Sequence, residues 1–322
     1  MNKVKTEALM VSIHCLVYNH EPYLRQCLDG FVMQQTNFRF EAIVHDDAST
    51  DGSADIIREY AEKYPDIIKP IFETENQYSK KGGILNKIMD DACTGKYVAM
   101  CEGDDYWIDP FKLQKQVDFM ESHLDYSMCC SDAVIETEDG IECWSRYNCS
   151  CRIPPEDMIL GGGLFVQTAS LLYRNGLTDS YLECCKLCHV GDYPLKIWGV
   201  LHDGLYYMAE KMVVYRFQSI NSWTSITHTL SLEKQIPGWR SEVDMLQGAD
   251  AYSHFKYHNA FKKRQTAYVY SKLKEYSNDW KKIAVEFRDV IKMFDWRKMT
   301  VHVLMMNHMR WCYTVWSKIM HR

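Results

Sequence analysis

Over its first 135 residues the chain alternates between two hydrophobic periods, and this alternation restricts the fold more than any other feature. MVSIHCLVY (10–18) is a short apolar run suited to a buried strand. From Glu21 and Pro22 the pattern turns helical, with Leu24, Cys27, Leu28, Phe31 and Val32 on one face. EAIVHDD (41–47) predicts a second strand, and the segment after STDGS predicts an amphipathic helix carrying Ile56, Ile57, Tyr60 and Ala61. IIKPIFE (67–73) reads as a third strand, ILNKIMDDA (84–92) as a helix and KYVAMC (96–101) as a fourth strand. DPFKLQKQVDFMESH (109–123) reads as the next helix, with Pro110 in its first turn. The expected fold is α/β, a mainly parallel Rossmann-like sheet flanked by helices on both faces.

Beyond residue 135 the alternation weakens. GIECWSRYNCSCRIPPED (140–157) reads as a strand running into a loop, and SLLYRNGL (170–177) as a strand end before the helix SYLECCKL. GLYYMAEKMVVYRF (204–217) reads as two extended segments, and 239–322 is mainly helical. These readings divide the chain into one domain over 1–235, with halves 1–135 and 136–235, and a helical region over 236–322.

In parallel sheets of this kind ligands bind at the carboxyl ends of the strands. Two polar clusters fall there: His45-Asp46-Asp47, and Glu102-Gly103-Asp104-Asp105 in CEGDDYWIDP (101–110). One turn needs no three carboxylates, and their mutual repulsion favours a cation. The formal net charge of −6 argues against a protein that coats nucleic acid, and no nucleic-acid-binding module is recognisable. The N-terminus, with Glu7 ahead of its apolar run and His14 within it, reads as neither a signal peptide nor a membrane span. The expected location is therefore the cytoplasm, with the 13 cysteines mostly reduced and buried.

The ordered set VSIHCLVYNHEPYL, IVHDDASTDGS, GGILNKIMDDACTGKYVAMCEGDDYW, GDYPL (191–195) and VVYRFQSINSW (213–223) resembles glycosyltransferase family 2, inverting enzymes on the GT-A fold. The resemblance covers roughly residues 10–225 and implies sugar transfer from a nucleotide-diphosphate donor, with a UDP-sugar expected, to a hydroxyl of a glycan or lipid-linked acceptor in cell-surface polysaccharide synthesis. It implies that Asp104 and Asp105 hold a divalent metal, Mn²⁺ or Mg²⁺, with Glu102 supporting them. Asp47, with Asp46 beside it, would accept a hydrogen bond from the nucleobase, and Tyr18 and Asn19 would sit at the base and ribose. Asp104, Asn86 and Arg216 would face the donor, and Asp192 would be the catalytic base. Relatives often carry Arg before that Asn, whereas here Leu85 stands there; Lys80, Lys81 or Lys87 would have to supply the charge. Asp192 also reads as a cap of the helix YPLKIWGV. Trp223 could stack on a sugar, and reads first as a core residue.

Other readings stay open beside this one. A nucleotidyltransferase would also use paired carboxylates, but the first strand is followed by no Gly-rich basic loop; a non-catalytic sugar-nucleotide or glycan binder has no use for a base. CKLCH (185–189) matches the haem c attachment pattern, but that chemistry requires export, which is not expected here; Cys143, Cys149, Cys151, Cys184, Cys185, Cys188 and His189 could hold a structural zinc, although their spacings form no clean second half-site. GGGLF (161–165) lacks the Lys-Ser/Thr of a P-loop and reads as a mobile segment at a site mouth. Residues 296–322 read as a basic, Trp-bearing amphipathic helix. It either lies on the cytoplasmic face of a membrane or packs into the core or against a second copy of the chain.

Overall fold

A computed structural model describes residues 6–80, 83–143, 145–217, 219 and 229–294. The chain divides into two compact units, Met1–Leu230 and Ser231–Arg322. In the first, the predicted alternation appears as β1 (Thr6–Val17), α1 (Glu21–Val32), β2 (Phe38–Asp46), α2 (Ser53–Lys63), β3 (Ile68–Phe72), α3 (Ile84–Ala92) and β4 (Tyr97–Met100). There follow β5 (Tyr106–Trp107), α4 (Lys112–Ser122), β6 (Met128–Thr137), β7 (Gly140–Glu142), β8 (Cys151–Arg152), α5 (Pro155–Gly161), β9 (Leu172–Arg174), α6 (Glu183–Lys186), α7 (Asp192–Leu201) and β10 (Leu205–Arg216). β6 runs unbroken across residue 135, so the two halves of the domain share a strand there.

The strands form one sheet in the order β3-β2-β1-β4-β9-β6-β10-β5, with β7 beside β6 and β8 beside β10. The β3-β2-β1-β4 half is parallel, and β10 runs parallel to β6. The antiparallel partners, β5, β7, β8 and β9, are strands of two or three residues. The expected pair of extended segments after Gly204 is one strand, β10. Register shifts between Met208 and Val213 let it bend without breaking its ladder with β6.

Alternation sets the packing. Val11, Ile13, Cys15 and Val17 of β1 and Leu24, Cys27, Leu28 and Phe31 of α1 are buried in one core cluster. Pro22 is accommodated near the start of α1, where a missing N–H costs nothing. Trp107 stacks edge-on against Phe31 at 4.9 Å and donates its indole N–H to the Ala169 carbonyl at 2.9 Å. The wholly buried Lys112 lies over its ring at 4.0 Å and donates to Gln116 at 2.8 Å; burial pushes its ammonium down to about 8. The acidic turn is thus followed at once by a residue locked into the core.

The second unit holds α8 (Leu232–Tyr252), α9 (His258–Glu275), α10 (Trp280–Glu286) and α11 (Arg288–Ile291). They close on their own core of Trp239, Val243, Val269, Leu273, Ile283, Phe287 and Val290. No helix among the described residues is long and apolar enough to cross a membrane. Residues 296–322, Trp223 and Lys81 lie outside the described residues.

Candidate active site

Because β1, β2 and β4 are parallel neighbours, in register Val17 with Asp46 and His14 with Met100, their carboxyl ends open on one edge of the sheet. Tyr18-Asn19, Asp46-Asp47 and the 101–105 turn leave the sheet together there. Asn19 adopts a left-handed backbone (φ 57°), which a short amide side chain tolerates. Its N–H donates to Ser49 Oγ at 2.9 Å, and its Oδ1 accepts from the Thr50 N–H at 2.7 Å. Asn19 therefore clips the end of β1 to the loop after β2. Tyr18 beside it is exposed.

Asp47 is buried, and its carboxylate accepts the N–H groups of Gln77 at 2.7 Å and Tyr78 at 3.1 Å, which fixes the loop before α3. Asp46 accepts the Ser49 N–H through Oδ2 at 3.3 Å, while its buried Oδ1 has no protein partner. Asn86 and Lys87 stand exposed on the first turn of α3, and Leu85 between Ile84 and Asn86 is turned into the core. Lys80 pairs with Glu75 at 2.8 Å.

The acidic turn lies against the end of β1: the Gly103 N–H donates to the Leu16 carbonyl at 2.9 Å. A Cβ on Gly103 would sit 2.7 Å from His20 Nδ1 and 3.0 Å from Val17 Cγ2. Gly103→Ala should therefore cost about 1–3 kcal/mol of stability, the usual range for overpacking. Chemical denaturation measures this, and an unchanged midpoint would show that the turn can shift away without loss.

Burial separates the three carboxylates of the turn. Asp105 is 2% exposed and accepts the Arg216 backbone N–H at 2.9 Å; burial first, then the neighbouring Asp104, push its carboxyl well above the usual range. Asp104 accepts the Ser219 hydroxyl at 2.7 Å. Glu102 is open to solvent yet flanked by protein on most sides, as a group lining a cleft is. That crowding first, then the charges of Asp104 and Asp192, raise it to about 8, against the pull of Lys196.

Arg216 clamps the turn from β10. Its guanidinium donates to the Asp104 carbonyl at 2.6 Å and to Gln26, pairs with Glu136 at 3.0 Å, and packs over Tyr106 and Tyr23 at 4.5 and 5.0 Å.

Asp192 reaches the same place from the other half of the sheet, near enough to Glu102 for its charge to raise that group. It is the first residue of α7, with Gly191 as N-cap. Its Oδ2 accepts Lys196 Nζ at 2.6 Å and the Thr168 hydroxyl at 3.0 Å. Burial works to raise its carboxyl, but Lys196, Thr168 and the adjoining backbone N–H outweigh it and hold the group below the usual aspartate value. Asp192 is thus ionised at neutral pH, with its side chain one-third exposed. Sequence reasoning missed Lys196, Thr168, Ser219 and Gln26. Only the first left a signal, the Asp-to-Lys spacing of four along a helix.

Among the described residues no three His, Cys, Asp or Glu side chains form a metal-holding group, in the cysteine-rich 143–189 stretch or elsewhere. A hard divalent cation that keeps waters and takes phosphate oxygens needs only one or two protein carboxylates. The donor set at the turn fits such an ion. Beyond the larger effect of desolvation, Asp104 and Asp192 both push Glu102 upward, so negative charge is concentrated here, and a cation would relieve that repulsion.

The family model for glycosyl transferase family 2 matches residues 12–158. An uncharacterised protein of Mycobacterium tuberculosis is 36% identical over 217 residues, covering 67% of this chain and 61% of that one. The chain thus spans about three-fifths of the length of this curated relative. Among solved structures, Staphylococcus aureus TarS 1–349 in complex with UDP-GlcNAc superposes with a TM-score of 0.54 at 14% identity, over 81% of this chain and 91% of that one. The mannosyltransferase PcManGT of Pyrobaculum calidifontis, in complex with GDP-Man and Mn²⁺, gives 0.51 at 14% identity, over 94% and 85%. At such identities these likenesses show the fold alone.

Proposed function

This chain carries a glycosyl transferase family 2 domain on a GT-A fold, and we propose that it transfers a sugar from a nucleotide-diphosphate donor to a hydroxyl of a glycan or lipid-linked acceptor, with inversion. The observation that carries this reading is the meeting of Asp192, ionised and anchored through one oxygen, with the Glu102–Asp105 turn at the carboxyl edge of the sheet.

The nucleotide lies along the ends of β1 and β2, where Tyr18 offers an exposed ring and Asp46 a buried oxygen without a protein partner. Asp47 and Asn19 shape that pocket by holding its loops, and Asn86 faces it from α3. Asp104 is the metal-holding carboxylate, Glu102 stands beside it as a carboxyl that a bound cation would ionise, and Asp105 with Arg216 anchors the turn. When bound, a divalent cation supplies positive charge to the diphosphate leaving group. Asp192 accepts the proton of the acceptor hydroxyl as that oxygen bonds to the anomeric carbon, and the bond from that carbon to the diphosphate oxygen breaks on the opposite face. The products are the glycoside of inverted configuration, the nucleoside diphosphate and protonated Asp192, which returns its proton to solvent.

A panel of UDP-glucose, UDP-GlcNAc and GDP-mannose, each with Mn²⁺, Mg²⁺ or EDTA, tests the reading through release of nucleoside diphosphate. We expect one donor to be turned over and EDTA to abolish it. If no nucleotide sugar in the panel binds or is hydrolysed under any metal condition, the donor-site assignment fails.

A further inference from the structure

We infer that Lys196 is a positioning residue for the base, its buried ammonium fixing the Asp192 carboxylate and the 163–168 segment in one arrangement. The inference rests on the assignment of Asp192 above and deepens it. Lys196 is 1% exposed on a helix whose neighbouring residues, Tyr193, Leu195, Ile197, Trp198 and Val200, are core residues. Stability alone does not call for a lysine there: burying an ammonium is costly, and a well-packed apolar side chain commonly serves a fold as well or better. Its three acceptors give the reason. Nζ donates to Asp192 Oδ2 at 2.6 Å, to the Gly163 carbonyl at 2.8 Å and to Thr168 Oγ1 at 3.3 Å, while the Thr168 hydroxyl donates in turn to Asp192 Oδ2 at 3.0 Å.

The triangle has two consequences. Both side-chain contacts on Asp192 fall on Oδ2, so the carboxylate cannot rotate freely and Oδ1 keeps one direction. The Gly163 carbonyl, at the end of the glycine run 161–163, and Thr168, five residues later, are held to the same ammonium. The segment between them is therefore tied to the base at both ends, besides the hydrogen bonds that Arg146 donates to the Leu164 and Phe165 carbonyls. The other titratable groups that face Asp192 are Glu102 from the acidic turn, His189 from the segment before α7, Tyr181 from the stretch before α6 and Tyr215 from β10. Burial pushes His189 down to about 4, against the pull of Asp192, so it is neutral at pH 7. Lys196 supplies the positive charge paired with Asp192.

The test is the pH profile of kcat/KM for the donor that the panel identifies, in wild type, Lys196→Met and Lys196→Gln, with melting temperatures in parallel. Removing the charge takes away the largest influence that opposes burial at Asp192, leaving only the Thr168 hydroxyl and the adjoining backbone N–H against it. Its carboxyl rises, and activity is lost as pH falls through the new value. The acid limb should therefore move up by about 1–3 pH units in both variants, with donor affinity unchanged. Added to Asp192→Asn, Lys196→Met should cost at most about 2-fold more, since residues that act as a unit are not additive. A loss equal at every pH, or a fully additive loss, would overturn the inference. Near-normal turnover in Asp192→Asn alone would instead sink the base assignment. If Lys196→Met fails to fold, the Asp192→Asn/Lys196→Met pair, which removes both charges, should recover folding. A pair as unstable as the single variant would show that the lysine serves the 163–168 segment alone.

Discussion

Asparagine at position 192 should lower turnover by about 10²–10⁴-fold, the usual scale for loss of a general base, while donor affinity changes little. The amide keeps an oxygen for Lys196 and Thr168, so the arrangement around α7 survives, but it cannot take a proton from a hydroxyl. The exchange also leaves the buried Lys196 without its counter-charge, so the melting temperature should fall as well. The two effects separate experimentally. Calorimetric titration of the folded variant with donor reports intact binding, and single-turnover kinetics reports the lost chemistry. A variant that turns over at near wild-type rate while melting earlier would reduce Asp192 to a structural partner of Lys196.

The alternation of periods placed β1 to β4 and α1 to α4 within a few residues, because parallel strands buried on both faces and amphipathic helices write their packing directly into the spacing of apolar residues. The acidic turn was legible for the same reason, since it follows a strand whose end could be located. The second half was harder. β9 is three residues long and pairs antiparallel between β4 and β6, a non-local choice that no local period encodes. β10 read as two segments because residues 209–211, at its register shifts, interrupt the apolar pattern without interrupting the strand.

Roles within the site were less legible than its position. Asn19, Asp47 and Arg216 stand where the resemblance places donor-binding residues, and in the structure each holds a loop or turn: Asn19 through Ser49 and Thr50, Asp47 through Gln77 and Tyr78, Arg216 through Asp104 and Glu136. A residue type that suits a ligand also suits a turn, because both want hydrogen-bonding groups at a strand end. Lys196 left only its spacing of four from Asp192, a weak signal, because a lysine within an apolar helical pattern reads as a solvated position until the partner beneath it is known.

Asp104 and Asp105 stand side by side in the sequence as one acidic pair, but burial and hydrogen bonding predict that their asparagine variants will behave differently. Asp104→Asn removes the carboxylate proposed to face the cation. Outer-shell changes at metal sites alone cost about 10–100-fold in affinity, so the metal-dependent part of nucleoside-diphosphate binding should fall by at least about 10-fold. Asp105 is more deeply buried, and its Oδ1 accepts a backbone N–H that an asparagine oxygen can equally accept. Its carboxyl is pushed up by burial and by Asp104, so ionising it in the folded state opposes folding as pH rises through the unfolded value. The neutral amide removes that opposition. Asp105→Asn should keep its metal dependence, with a melting temperature at pH 7–8 equal to or above that of the wild type. Titration of UDP or GDP with and without Mn²⁺, beside thermal melts, checks both arms. Metal dependence lost in Asp105→Asn but kept in Asp104→Asn would reverse the two roles and place the cation on the β10 side of the turn.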